Sequence, residues 1–436
     1  MSKLRVLLCT AASLFIAAGT LSAQGLTGQI SGVIQDSSSG AMAGASVTLT
    51  NTGTNQAKVV TTDSSGNFIF AQLLASTYNL NVSAAGFKTY EQKDIVLASS
   101  ERSALRAIVM EIGSVAESVS VSADTAQLQT QSAERSVSLT SQQITETPQK
   151  GRNFLNLLNL MPGVINTGDL EAPNGGLSGL RINGSRTGSL TVTTDGVPNH
   201  DTGNQQGPPA MPSLESIGEI KVQLSSYQAE YGRNSGASIT TVTKAGTPKF
   251  HGGAYYFKRN EALNANSFFG NRDGQRRPRY RYDDVGYTIG GPVLIPGLIR
   301  TREKLFFFWS QEYLPRTSAV GPTRFTFPTA LERGGNFSRT LDTNGAVIRV
   351  NDPLNNKAQF PGNVIPPSRL DKAGVGLLSV FPTPNTSDPT NTFNTVIQDR
   401  IKQPHGFEVL RVDWNLGSKT TFYARGLYNV TVQPPT

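Results

Sequence analysis

Cysteine, histidine and long apolar runs are scarce in this chain. The 436 residues include one cysteine, Cys9, and three histidines. Cys9 lies in a segment with the pattern of an N-terminal leader, so the rest of the chain can form no disulfide and no thiolate metal site. Hydrophobic residues make up 37% of the sequence, less than is usual for globular proteins. The 43 glycines and 24 prolines favour a loop-rich β-protein over a helical or doubly wound one.

The N-terminus has the pattern of a cleaved signal peptide. Lys3 and Arg5 give it a basic start, residues 6–18 are almost entirely apolar, and Ala23 is a small residue before a cut. The apolar run is shorter than the ~20 residues that a membrane helix needs, so we predict a signal peptide over 1–23. No later run approaches that length. A membrane protein without such helices has to be a closed β-barrel.

The region 25–113 has the pattern of a small β-sandwich. Short stretches alternate apolar and polar residues, and turn signals rich in Gly, Asn and Asp separate them. About seven alternating strands at this spacing predict a sandwich. We expect the strands at 29–34, 45–51, 57–62, 67–70, 78–84, 93–97 and 105–111.

The region 114–247 mixes short helices with strands, and the part of it that follows residue 123 is called the plug region below. Ser141 is the expected N-cap of a helix that runs through Ile144. Residues 153–161 have apolar residues at helical spacing and end at a Pro-Gly pair. Asp195 and Gly196 form a dipeptide that favours positive φ, so a tight hairpin turn is expected there.

The region 248–436, called the barrel region below, has the pattern of membrane-spanning β-strands. Long connectors alternate with short ones, as outer-membrane barrels alternate external loops with periplasmic turns. Too few strands are present to close a barrel, so the sequence predicts an incomplete barrel from a fragment or a truncated reading frame. The strands are expected at 252–259, 284–293, 304–313, 406–415 and 420–430.

Side-chain alternation in the barrel region separates a lipid face from an interior face. Leu410, Val412 and Trp414 fall on one face of their strand, with Arg411 and Asp413 on the other. In the next strand the apolar Phe422, Ala424, Tyr428 and Val430 lie opposite Arg425 and Asn429. A run of aromatics is expected to face lipid and the membrane interface: Phe306, Phe307, Phe308, Trp309 and Tyr313.

Two families are suggested by these residues. The segments 32–36, 43–49, 62–68 and 78–87 resemble the carboxypeptidase regulatory-like domain, a prealbumin-like sandwich; Ala43 and the turn 75–78 depart from its usual pattern. The stretch 215–269, with YQAEYG at 227–232, resembles the plug and first barrel strand of TonB-dependent outer-membrane receptors. The combination is similar to Oar-like receptors.

The resemblance implies a fold class and a transport function. The fold is mainly β: a prealbumin-like sandwich, then an α+β plug domain, then the first strands of an outer-membrane β-barrel. The family takes up a ligand across the Gram-negative outer membrane, in contact with outer-membrane lipid, and an inner-membrane motor complex drives the process through TonB. Siderophores, glycan fragments, peptides and exported proteins all remain open as the extracellular ligand.

A short β-prone stretch before the plug is similar to the TonB box of such receptors. An extended segment of this kind offers its backbone to the edge of a partner sheet. An ordinary strand of the plug or its linker is the alternative. The stretch, called the box segment below, consists of Glu117, Ser118, Val119, Ser120, Val121, Ser122 and Ala123.

Other functional classes have little support. His405 and Glu408 match the H-x-x-E pattern of zinc carboxypeptidases, but an offset of three on a strand places them on opposite faces. Asp169, Asp195 and Asp201 are expected in turns and not around a cation. We therefore expect no enzyme, metal or cofactor. A surface adhesin or carbohydrate-binding outer-membrane protein without transport is the alternative function.

Much of the formal charge of +8 is local to one polar stretch, for which a nucleic-acid interface is the alternative interpretation. An exported chain rarely meets nucleic acid, so we expect a solvated loop that faces anionic sugars or lipid headgroups. The cluster is Arg272, Arg276, Arg277, Arg279 and Arg281.

Overall fold

The structure is a computed structural model, and it describes residues 26–114, 118–122, 132–168, 177–201, 203, 207–272, 276–319, 323–388, 390–397, 400–417 and 420–432. The predicted signal peptide lies outside these residues. Two compact units are present: one within Met1–Tyr256, Asp284–Leu314 and Pro404–Thr431, and one within Phe257–Asp283, Pro315–Gln403 and Val432–Thr436.

The N-terminal region is a β-sandwich, as the alternating pattern predicts. Its first sheet has the order β4-β1-β7, with β8 also paired to β1, and its second has the order β3-β2-β5-β6-β9. The strands are β1 (Gly28–Asp36), β2 (Ser46–Asn51), β3 (Ala57–Thr61), β4 (Asn67–Leu73), β5 (Ser76–Ser83), β6 (Thr89–Leu97), β7 (Arg102–Ala104), β8 (Ile108–Met110) and β9 (Ser118–Ser122).

Inward-facing apolar residues of both sheets form the sandwich core. Ile30, Val47, Leu80 and Ile95 are all fully buried within it. The strand predicted at 105–111 is present but shorter, as β8, and β7 is an additional strand that was not predicted; both run parallel to β1. The chain turns between them at residues 105–107, where Leu105 N donates to Ser31 O across 2.8 Å.

The plug region has its own core and a five-stranded sheet in the order β10-β15-β16-β13-β14. Strand β13 runs parallel to β16, whereas β15 lies antiparallel to β10 and β16. A separate antiparallel pair, β11-β12, lies between β10 and β13 in the sequence. The strands are β10 (Arg135–Thr140), β11 (Val164–Asn166), β12 (Leu180–Ile182), β13 (Leu190–Thr194), β14 (Val197–Pro198), β15 (Ile217–Ser225) and β16 (Ala237–Thr243).

Two helical segments pack under this sheet. Helix α1 (Ser141–Glu146) begins one residue earlier than predicted, because Thr140 and not Ser141 is its N-cap: Thr140 and Gln143 form a capping box. The apolar run predicted as helical is a 3-10 helix, Phe154–Leu160, capped by the Asn153 side chain. Leu158 in it is fully buried. The remaining short 3-10 helices of the plug region are Lys150–Arg152, Leu177–Gly179 and Leu214–Ser216.

The predicted hairpin turn between β13 and β14 is confirmed. Thr194 pairs with Val197, and the two turn residues between them, Asp195 and Gly196, have φ values of 52° and 83°. This left-handed geometry is the one that a two-residue hairpin needs, and it explains the Asp-Gly dipeptide.

The barrel region forms an open five-stranded sheet in the order β17-β18-β19-β22-β23. Strands β22 and β23 are antiparallel over eleven residue pairs, from His405–Thr431 to Asn415–Thr421. None of the helices in the described ranges is long and apolar enough to cross a membrane. The strands are β17 (His251–Asn260), β18 (Tyr280–Pro292), β19 (Leu305–Ala319), β22 (Arg400–Asn415) and β23 (Thr421–Thr431).

The long connector between β19 and β22 contains a folded segment that belongs to the second unit. The Asn363 side chain donates to Phe337 O and Ile348 O and accepts from Val350 N, all at 2.7–2.8 Å. The connector between β17 and β18 contains the 3-10 helix Glu261–Leu263 and helix α2 (Phe268–Arg272). The connector between β19 and β22 contains β20 (Thr323–Phe325), its antiparallel partner β21 (Thr395–Ile397), α3 (Ala330–Arg333), α4 (Lys372–Leu378) and the 3-10 helices Pro361–Asn363 and Pro367–Arg369.

Candidate functional site

The box segment is an added strand on the sandwich. Its described part, β9, pairs in parallel with β6, from Thr89–Ser118 to Lys93–Ser122. Glu117 and Ala123 lie outside the described residues. The sequence predicts an extended conformation here, but it does not identify β6 as the partner.

The turn that follows β6 is clamped onto the plug region. Ser99 is fully buried, and its backbone N–H donates to the Glu219 carboxylate at 3.1 Å while its carbonyl accepts from Lys221 Nζ at 3.1 Å. Lys221 also lies 3.0 Å from Glu134, and only 3% and 5% of these two side chains are exposed. Gln223 donates to the same carboxylate at 3.0 Å. We call this set of contacts the sandwich–plug clamp.

The two carboxylates of the clamp differ in their electrostatics. Burial acts to raise the pKa of Glu134, but Lys221 and the Gln223 hydrogen bond outweigh it and hold the pKa below the ordinary value. Burial raises the pKa of Glu219, and the Ser99 hydrogen bond offsets only part of the effect. The surroundings in the clamp therefore stabilise the ionised form of Glu134 and destabilise the ionised form of Glu219.

A second buried cluster joins the plug region to three neighbouring barrel strands. Arg152 forms ion pairs with Glu215 of the plug region and with Asp284 of β18, the latter at 2.6 Å. Its guanidinium lies over the Tyr255 ring of β17, 5.3 Å from the centroid. The Tyr255 hydroxyl in turn donates to Glu312 of β19 at 2.7 Å. Burial lowers the pKa of Arg152, but the two partner carboxylates outweigh it and hold the pKa above its ordinary value.

A third cluster joins the plug region to the last two strands. Asp195 accepts from the backbone N–H and the hydroxyl of Thr243 at 2.8 and 2.7 Å, and it pairs with Arg425 of β23 at 2.8 Å. Arg411 of β22 donates to Thr243 O at 2.7 Å and forms a bidentate pair with Asp413, two residues along the same face. The predicted interior face of β22 is confirmed, since Arg411 and Asp413 are both buried.

The opposite face of the barrel sheet is apolar and exposed. Leu410 and Trp414 are 44% and 41% exposed, as expected for a face turned to lipid. The prediction that all of the consecutive aromatics face outward was wrong: Phe306 and Phe308 are buried. Side chains alternate along a strand, so two of three successive phenylalanines in β19 turn inward together.

The histidines and aspartates considered as metal ligands are engaged elsewhere or lie apart. Within the described residues, no group of three or more His, Cys, Asp or Glu side chains could hold a metal ion. His405 Nδ1 lies 3.1 Å from Thr431 Oγ1, and His200 Nδ1 lies 3.3 Å from Val192 O. Asp201 accepts from Gly203 N at 2.7 Å in a turn, and Asp169 lies outside the described residues.

Three protein-family models match the chain, one in each of its three regions. The family model described as the carboxypeptidase regulatory-like domain matches residues 29–111. The TonB-dependent receptor plug domain matches 127–239, and the outer membrane beta barrel domain matches 242–436. The chain therefore carries a TonB-dependent receptor plug domain between a carboxypeptidase regulatory-like domain and a match to an outer membrane beta barrel domain.

Relatives of this receptor include a curated transporter and solved outer-membrane proteins. The TonB-dependent transporter Oar of Myxococcus xanthus is 26% identical over 286 residues, which are 60% of this chain and 24% of the relative; the chain thus spans about a quarter of that protein's length. The outer-membrane transporter YddB of Escherichia coli aligns at 11% identity and a TM-score of 0.41 over 68% of this chain and 33% of its own. The ferric enterobactin receptor PfeA of Pseudomonas aeruginosa aligns at 12% identity and a TM-score of 0.37 over 69% and 34%.

The arginine cluster is exposed except for the half-buried Arg279, and it is partly engaged within its own connector. Arg277 donates to the carbonyls of Glu261, Ala262 and Asn264 at 2.8–3.2 Å. Arg272 lies over the Phe269 ring, 5.1 Å from its centroid. These contacts fold the connector and leave positive charge at its surface.

A cavity of about 870 Å³ opens in the receptor between the sandwich, the plug region and the ends of β22 and β23. Lys58, Tyr78, Lys244 and Tyr423 are among its lining residues. It lies at the end of β22 and β23 where Asn415 pairs with Thr421.

The receptor's buried ion pairs were missed by sequence reasoning. Arg152, Glu215 and Asp284 lie far apart in the chain, so no local motif joins them. One signal was available: Asp284 and Glu312 are carboxylates within predicted membrane strands, where an unpaired charge is costly and predicts a partner in the interior.

Proposed function

We propose that this receptor takes up a ligand across the outer membrane by TonB-dependent, energy-coupled transport. One observation carries the proposal: the plug region is fixed to the barrel strands by buried ion pairs, centred on Arg152 and Arg425. Breaking a buried pair so that one charge stays unpaired costs about 3–5 kcal/mol. A plug held by two such clusters needs external work to move, and TonB with its inner-membrane motor complex is the source of that work.

The box segment is the proposed contact for TonB. It precedes the plug region in the chain, and its described part is extended. Strand addition needs backbone groups at an accessible edge and tolerates many side chains, which suits a segment made of alternating serine and valine.

The remaining parts of the proposal concern location and ligand. The exposed apolar face of the barrel sheet supports insertion in the outer membrane, in contact with lipid. We propose an extracellular ligand, with a glycan among the candidates, and no catalytic role. The sandwich fold alone does not argue for sugar binding.

Site-specific disulfide crosslinking in cells tests the TonB contact. The only cysteine is Cys9 in the predicted leader, so single cysteines at Val119 or Ser120 report without background. We expect Val119→Cys and Ser120→Cys to crosslink to cysteines in the TonB periplasmic domain. Thr61→Cys, on the opposite edge strand of the same sheet, is the matched control. Equal crosslinking from Thr61→Cys, or none from the box segment, would favour the adhesin alternative.

A further inference from the structure

We propose that the sandwich holds the box segment in a closed state, in which β6 binds residues 118–122 as an added strand. TonB binds and pulls the segment only after it has left β6, and we call the closed state the closure. This inference rests on the proposed function, because it takes the box segment as the TonB contact. The observation behind it is the parallel pairing of five residues of β9 with five of β6.

Strand β6 has two roles that together create the closure. Its N-terminal half, Thr89–Lys93, pairs with the box segment. Its C-terminal end leads directly into Ser99, which is held by Glu219 and Lys221 of plug strand β15. The box segment is therefore attached to the plug region by two routes, through the chain at 123–134 and through β6 and the sandwich–plug clamp.

The second route determines where a pulling force goes. While β9 stays on β6, tension on the box segment passes into the sandwich and then through the clamp into β15. This route bypasses β10, the first described strand of the plug region. Once β9 has left β6, the same tension passes along the chain to Arg135 and begins to strip β10 from β15, its antiparallel partner.

The pairing is weak enough to exchange. Only valines 119 and 121 of the strand are apolar, and Val119 is half-buried. Among the side chains that the structure describes, the sandwich core includes Tyr90 of β6 at its border and no residue of β9. Parallel pairing is also slightly less stable per residue than antiparallel pairing. A closed state that is favoured tenfold would weaken the apparent affinity for TonB about tenfold.

A disulfide between β6 and β9 tests the inference in the full chain. Glu91 and Ser120 are register partners, and neighbouring strands lie ~4.8 Å apart, within the range that a disulfide spans. We expect the reduced Glu91→Cys/Ser120→Cys variant to bind the purified periplasmic domain of TonB like the wild type. Oxidation is expected to weaken that binding by tenfold or more, and reduction is expected to restore it.

Two controls separate the outcomes. Thr48→Cys/Val59→Cys places a disulfide between β2 and β3 of the same sheet, and its oxidation is expected to leave binding unchanged. Unchanged binding by the oxidised Glu91→Cys/Ser120→Cys variant would overturn the closure, and TonB would then add to the outer edge of β9. Val119→Pro removes a backbone donor from the box segment. If it binds TonB like the wild type, the box assignment itself is wrong and the closure falls with it.

Discussion

Replacing Lys221 with methionine is expected to weaken the plug region strongly at neutral pH. The substitution keeps most of the apolar stem but removes the ammonium that lies 3.0 Å from Glu134 and 3.1 Å from Ser99 O. Only 5% of the Glu134 side chain is exposed, so its carboxylate would be left buried and without its cation. Loss of one partner of a buried pair costs about 3–5 kcal/mol.

The loss of stability caused by Lys221→Met should depend on pH in a defined direction. Because the pKa of Glu134 is lowered in the folded state, the pair contributes stability above the ordinary glutamate pKa of 4.5, and this is lost as the pH falls through the lowered value. The difference between wild type and Lys221→Met is therefore expected to be largest near neutral pH and to narrow in acid.

Hydrogen exchange in the full chain measures this prediction. A loss of about 3 kcal/mol corresponds to roughly 10²-fold faster exchange of the slowest amides of β15. The matched control is Lys221→Met combined with Glu134→Gln, which removes both charges and is expected to recover most of the loss. Acceleration below about fivefold in the single variant, or an effect that does not change with pH, would refute the argument.

Three further predictions concern other parts of the chain. Thr140→Ala should destabilise the plug region by about 1 kcal/mol in chemical denaturation, and Ser141→Ala should not, because Thr140 is the helix N-cap. Glu219→Gln should be neutral or stabilising at neutral pH. Because the pKa of Glu219 is raised in the folded state, the free energy of unfolding of the wild type falls as the pH rises through that pKa. The variant lacks this carboxylate, so its denaturation midpoint should depend less on pH. Phe308→Ala should cost about 3–5 kcal/mol in thermal unfolding in detergent, and Phe307→Ala clearly less, because only Phe308 is fully turned into the interior.

Periodicity of the sequence predicted most of the strands. The sandwich sheets, the interior face of β22 and the turn at Asp195 and Gly196 all follow from alternation or turn chemistry, which act between near neighbours. The incorrect N-cap has a local cause as well: Thr140 and Ser141 are adjacent hydroxyl residues, and only the capping contact to Gln143 distinguishes them.

Contacts between distant parts of the chain could not be predicted in this way. Lys221 and Glu134 are 87 residues apart, and Arg152 and Asp284 are 132 residues apart. Their pairing depends on how the sandwich, plug region and barrel strands pack, which no local pattern encodes. The same holds for β6 as partner of the box segment, since many edge strands could accept a sequence of alternating serine and valine.

The chemistry of the sandwich–plug clamp determines what its two surfaces would expose to water on separation. Its buried groups are a carbonyl, an amide, an ammonium and carboxylates, centred on Ser99, Lys221, Glu134 and Glu219. Water solvates all of these groups when the surfaces part, whereas an apolar joint would leave adhesive patches on both. Separation of the two surfaces would therefore expose no adhesive apolar patch at these groups.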